Sequence, residues 1–166
     1  MRGIGRLLAV LTAGMVASMV VAAIAAVSAK RHLVPVDDPE ADEVQLVAIF
    51  DQLAFRSDAR SFRGGTVDCW FGGGAVDLRD ATLDPAGANL RMRTIFGGGQ
   101  IVVPESWRVV NDVVVIAGGV ADTRPPEDRP DDAPELRLEG LAAFGGFVIT
   151  SELPAGAEQA MFHTPA

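Results

Sequence analysis

The chain has 166 residues, enough for one domain of about 120 to 130 residues beside a short additional segment. All 22 acidic side chains but only 10 of the 14 basic ones fall in residues 33–166, so that part carries a balance of −12. Such a charge excludes nucleic acid and anionic lipid surfaces as direct partners, because both would repel it. A single cysteine rules out an intramolecular disulfide. With only two histidines, the nitrogen and sulfur ligands are too few for a structural metal site, and no cofactor is implied.

Taken in chain order, residues 7–29 form 23 consecutive uncharged positions, flanked by Arg2 and Arg6 before and by Lys30, Arg31 and His32 after. At ~1.5 Å per residue, a helix of that length crosses a hydrocarbon core of ~30 Å with some tilt. Val27-Ser28-Ala29 resembles a signal-peptidase site, but a signal-peptide core runs to about 7 to 15 residues and this run exceeds it. Residues 1–32 are therefore expected to be a single-pass membrane anchor, and the membrane is the first expected partner. No cysteine follows the segment to carry a lipid. The cationic residues at its two ends nearly cancel, so the positive-inside rule assigns no orientation.

Residues 33–43 are acidic, contain two prolines and have too little apolar content to fold alone, so they are expected to be a linker. The expected repeat domain spans 44–153, followed by a C-terminal tail at 154–166. Within the domain one string recurs: Ala48-Ile49-Phe50-Asp51, Cys69-Trp70-Phe71-Gly72-Gly73, Thr94-Ile95-Phe96-Gly97-Gly98, Val115-Ile116-Ala117-Gly118-Gly119 and Ala143-Phe144-Gly145-Gly146. With Phe50, Phe71, Phe96, Ala117 and Phe144 aligned, the spacings are 21, 25, 21 and 27 residues, the range of a stacked repeat.

Each repeat reads as strand. Leu46 and Ala48, Val67 and Cys69, Leu90, Met92 and Thr94, Val113 and Val115, and Leu138 and Ala142 share one parity. Asp68, Arg91, Arg93, Asp112, Arg137 and Glu139 hold the other. This period of two marks strands with one buried face. The glycine pairs Gly72-Gly73, Gly97-Gly98, Gly118-Gly119 and Gly145-Gly146 mark bends where a Cβ would obstruct the backbone or a neighbouring turn. Three strands per rung of an all-β solenoid fit the period, and an antiparallel β-sandwich is the alternative. The stretch 124–135, with four prolines and five acids, reads as a solvated loop.

The string Trp70-Phe71-Gly72-Gly73-Gly74-Ala75-Val76-Asp77-Leu78-Arg79-Asp80-Ala81 is followed by Ile95-Phe96-Gly97-Gly98 and by Val102-Val103-Pro104-Glu105-Ser106-Trp107-Arg108-Val109. With these motifs, residues 44–150 resemble the C-terminal toastrack domain of LiaF-type cell-wall-active antibiotic response proteins. The resemblance implies a right-handed single-stranded β-solenoid beside the bacterial cell membrane, acting in envelope-stress sensing through protein contacts, with no catalytic residue to transfer. One membrane pass replaces the several of LiaF itself, so the kinase-inhibiting role of that protein does not carry over.

Cys69 shares its register with Ala48, Thr94, Val115 and Ala142, which reads as a small inward residue rather than a nucleophile. Asp77, Asp80 and Asp84 are expected on the solvated face, without the spacing of a calcium site. Trp70 and Trp107 stand one step out of phase with inward positions and are the expected interaction residues. The sequence thus points to a non-enzymatic interaction module whose partner is a membrane or signalling protein. A self-assembling envelope protein, a homo-oligomer through unpaired strand edges, is the alternative, and a polysaccharide-acting enzyme ranks third.

Overall fold

Eight β-strands and no helix make up the described part of the protein, residues 35–125, 133–153 and 156 of a computed structural model. The expected anchor lies outside the described residues, as does the expected tail apart from Gly156. Among the described residues no helix is long and apolar enough to cross a membrane.

The period-two segments form the strands. β1 (Glu43–Ile49) and β2 (Gln52–Arg56) make the first coil, β3 (Gly64–Trp70) and β4 (Gly73–Asp77) the second, and β5 (Ala88–Ile95) and β6 (Gly98–Val102) the third. The last two coils are the longer strands β7 (Arg108–Asp122) and β8 (Glu135–Thr150). Every ladder between these strands is parallel. That pairing rules out the antiparallel sandwich and gives a solenoid-like sheet, since coils that repeat in one winding sense return each strand beside its equivalent in the same direction.

Equivalent residues stack into columns. Leu46, Val67 and Met92 follow one another in register, as do Phe55, Val76, Ile101 and Ile149. All seven are buried in a single apolar core. The expected inward residues of β1, β3, β5 and β8 are covered, but Asp68, expected on the solvated face of β3, is also buried, paired with Arg93 at 2.6 Å; β7 departs further, and its Val113 and Val115 are only partly covered.

The order of stacking is not the order of the chain. β5 pairs with β8, and β8 pairs in turn with β7, so the final coil lies between the third and the fourth. β8 serves both sides of the bend, its first half against β5 and its second against β6. β7 is left at one end, with β8 as its only strand neighbour among the described residues.

Two strands per coil replace the expected three. The segments between β2 and β3, between β4 and β5, and between β6 and β7 deliver Phe62, Leu78, Leu83, Val103 and Trp107 to the core, yet they share a single parallel bridge, Phe62 to Leu83. Asp84-Pro85-Ala86-Gly87 and Pro104 explain this, because proline lacks a ladder donor and these clusters favour turns.

At the opposite end from β7, residues 35–42 lie along the first coil. Val36 and Gln45 exchange two backbone hydrogen bonds of 3.0 Å in an antiparallel bridge. The Pro39 carbonyl accepts from the Asp58 amide at 3.0 Å, and the Asp42 carbonyl accepts from the Arg63 amide at 2.7 Å.

Candidate interaction surface

The aligned residues Phe50, Phe71, Phe96, Ala117 and Phe144 all adopt left-handed backbone, with φ between 52° and 56°. They form the corner where each coil bends. The amides of Phe50, Phe71 and Phe96 donate to the carbonyls of Trp70, Ile95 and Ala143 in the next coil at 2.9 to 3.0 Å, which locks the bend. After four of the five corners the next residue must be glycine: a Cβ on Gly72 would sit 2.1 Å from the Asp51 oxygen, and one on Gly97 would sit 2.0 Å from the Gly72 oxygen, whereas Asp51, after Phe50, belongs to the end coil and has no coil before it to meet. Glycine therefore supplies close approach, whereas the left-handed conformation falls on the aromatic before it.

The four phenylalanine rings stack. Phe50 and Phe71 have centroids 4.8 Å apart, Phe71 and Phe96 5.3 Å, and Phe96 and Phe144 4.8 Å, with planes within 14° of parallel. Left-handed backbone costs a side-chain-bearing residue roughly 1–2 kcal/mol, while an aromatic pair contributes about 0.5–1.5 kcal/mol beyond burial. Phe50, Phe96 and Phe144 nonetheless remain 54%, 42% and 56% exposed. Left-handed backbone and an exposed apolar ladder thus coincide at these corners, a combination that marks a candidate binding surface.

Trp70 borders the ladder. It lies half-buried in the outward column Ile49, Trp70, Ile95, Ala143, Ile116, and its indole N–H is buried with no acceptor among the described residues. Apart from Ile49, which is 5% exposed, this column and the phenylalanines make one apolar strip that widens over Val114 and Ile116. Trp107 is elsewhere: it is buried in the core, where its carbonyl accepts a 2.9 Å hydrogen bond from Arg124 Nη1. Its outward expectation is corrected, because residues 103–107 belong to the irregular third side, where strand parity does not apply. The aromatic recurring before each glycine pair was the available signal for the ladder. Its exposure was not, because each phenylalanine shares the inward parity of its strand and so reads as core.

Cys69 is buried, and burial together with the Asp68 carboxylate pushes its thiol up to about 11, leaving it protonated and unreactive at neutral pH. Asp77 is not on a solvated face. Its side chain has 0% exposure and is clamped by Arg56 Nη2 at 3.0 Å and Arg79 Nη2 at 2.8 Å, with the Arg79 amide donating to Oδ1 at 3.2 Å. Burial alone would raise its pKa, but the hydrogen bonds and charge of Arg79, joined by the charge of Arg56, hold it below the usual carboxylate value. Asp80 is exposed, and Asp84 accepts from Ala86 N at 2.8 Å and Ser61 Oγ at 2.8 Å. The three aspartates do not converge. No group of three or more potential metal ligands occurs among the described residues.

The Asp77 clamp carries a pH prediction. A folded pKa below the unfolded value of ~3.9 contributes stability that is present above that pH and is lost as pH falls through the lowered folded value. Asp77→Asn is expected to cost roughly 1–3 kcal/mol at neutral pH, toward the low end because both arginines are about a third exposed. It is also expected to flatten the decline in stability between about pH 5 and pH 2, measured by urea unfolding at a series of pH values.

An open cleft of about 600 Å³ lies at the start of the strands, lined in part by Arg63, Arg108, Glu135 and Arg137. Its charges are internally paired, Arg63 with Glu43 at 3.5 Å, and Arg108 and Arg137 with Glu135 at 2.8 and 3.1 Å. No known protein family, no curated protein and no solved structure matches the chain.

Proposed function

We propose that this protein is a non-catalytic, membrane-anchored interaction module of the bacterial cell-envelope stress response. Residues 7–29 tether it to the membrane, the repeat domain is a right-handed single-stranded β-solenoid of the toastrack type, and the phenylalanine ladder with Trp70 is the contact surface for a membrane or signalling protein. Parallel coils and glycine corners support the solenoid reading, beside the resemblance carried by the repeat strings. The observation that carries the functional reading is the ladder: four phenylalanines held in left-handed backbone, three of them about half exposed.

The test is photo-crosslinking from position 71, within the ladder, and from the neighbouring exposed position 51, in cells under cell-wall stress. A membrane or signalling protein should be recovered, and recovery should be lost in the triple variant Phe50→Gly, Phe96→Gly, Phe144→Gly. Glycine relieves the positive φ at each corner, so the variant is expected to stay folded. Crosslinks to no other protein, or crosslinks that persist in the folded triple variant, would overturn the proposal.

A further inference from the structure

The two ends of the coil stack are finished differently. At the β1 end, Val36 occupies the outer edge through its bridge to Gln45, and the inward Val44, Leu46 and Ala48 are 3%, 2% and 2% exposed. At the β7 end no described strand follows, and Val114, Val115 and Ile116 are 60%, 38% and 53% exposed.

The open end is also chemically distinct. Residues 113–121 carry no charge, and Arg108, Asp112, Asp122 and Arg124 around them sum to zero, whereas residues 33–166 as a whole carry a balance of −12. β7 has neither proline nor lysine, the usual means of blunting an exposed edge. One partial guard is present: the Val113 amide donates to Asn111 Oδ1 at 3.2 Å. Gly119 adds a sharper observation. Its equivalents Gly73, Gly98 and Gly146 are glycine because a Cβ would meet the next coil's carbonyl oxygen at 2.4, 2.6 and 1.7 Å; a Cβ on Gly119 would meet nothing within 4 Å. The chain keeps this corner bare where its own fold does not need it, which leaves room for another backbone to approach.

We infer that β7 is the interface of a symmetric homodimer, in which the β7 edges of two copies pair antiparallel across a dyad. A second copy is the occupant that fits, because a near-neutral apolar edge can meet its own image without juxtaposing net charge. The closed β1 end decides between the two ways identical coils can stack. Head-to-tail stacking would join β7 of one copy to β1 of the next and propagate as a filament, and it needs the edge that Val36 holds. Among the described residues the other unpaired edge, β2, is only five residues long and lies beside the β1 edge that Val36 bridges, so no edge matches the full length of β7 head to tail; the contact is with its own image and closes at two copies. A dyad relating two edges of one continuous sheet runs them antiparallel. The edge is 15 residues long, or about 50 Å of contour at ~3.3 Å per residue, and about 500 Å² per copy at ~10 Å depth. That is below the ~800 Å² per partner of a standard interface, so the dimer is weak and reversible.

The test is a single-cysteine scan of the full chain in membranes, one substitution at a time at positions 108–121, with Gln45→Cys as the comparison; native Cys69 is buried and protonated. Self-crosslinking should peak at one β7 position, the one nearest the dyad, and should be absent from Gln45→Cys. Gly119→Arg, whose Cβ meets nothing within 4 Å in the single copy, should lower the crosslinked fraction roughly tenfold or more, the equivalent of at least 1.4 kcal/mol. Val114→Lys is the second variant and should act in the same direction. Absence of any β7 self-crosslink, crosslinks that form only between β7 and β1 cysteines, or crosslinking unchanged in both charged variants would each overturn the dimer.

Discussion

Gly145→Ala should destabilise the fold by about 3 kcal/mol or more, an effect as large as removing a buried leucine side chain. Gly145 sits in the coil stacked between the third and the fourth, and an added Cβ would lie 1.7 Å from the Gly97 carbonyl oxygen and 2.8 Å from its carbon. Neither atom belongs to a flexible side chain that can swing away. Relief requires the third coil and β8 to part at this corner, which stretches the Gly146 amide to Gly97 carbonyl bond of 3.1 Å and separates Phe96 from Phe144. Gly119→Ala is the matched control. It is the same substitution at the second glycine of the adjacent coil's corner, where a Cβ meets nothing within 4 Å, and it should leave stability within ~0.5 kcal/mol. Urea unfolding of the two variants beside the parent chain measures the difference. Equal costs at both positions would mean that the glycines serve bending alone and not close approach.

The same corners separate what could be read from the sequence from what could not. Spacing alone aligned Phe50, Phe71, Phe96, Ala117 and Phe144, and all five share one backbone conformation, because a corner recurs at a fixed point of every coil. Parity alone assigned the inward column of the first three coils, since a strand's two faces differ by one residue. Three features needed coordinates. The placement of β8 between β5 and β7 leaves no trace in local pattern, because every coil carries the same signals and any neighbour would satisfy them. Burial of Asp77 follows from Arg79 folding back two residues and from Arg56 in the adjacent coil, so its acidic character predicted the wrong environment. Trp107 lies on a side of the coil that proline keeps out of strand pairing, where counting by twos has no meaning. Of the interaction residues expected from sequence, Trp70 borders the exposed ladder and Trp107 does not.

The exchanged coil order makes the second large prediction, in which two deletions give opposite outcomes. A chain ending at Pro134 lacks β8 and should not fold cooperatively, whereas a chain lacking residues 108–134 should. β8 supplies Leu136, Leu138, Phe147 and Ile149 to the core, and at about 1.5–3 kcal/mol per buried side chain their loss matches the whole ~5–15 kcal/mol stability of a typical domain. It also supplies every strand partner that β7 has among the described residues. Removing 108–134 instead takes away an end coil and brings Trp107 to Glu135, whose register partner in β7 is Arg108, one strand spacing of ~4.8 Å away. Coils one, two, three and five then stack in chain order with their ladders intact. Amide hydrogen exchange is the decisive measurement. In the chain ending at Pro134, residues 108–122 should exchange as an unfolded segment, and protection in β1 to β6 should fall with them. If the coils stacked in sequence order, that truncation would remove only an end coil and leave 108–122 protected against β5, an outcome incompatible with β8 lying between them.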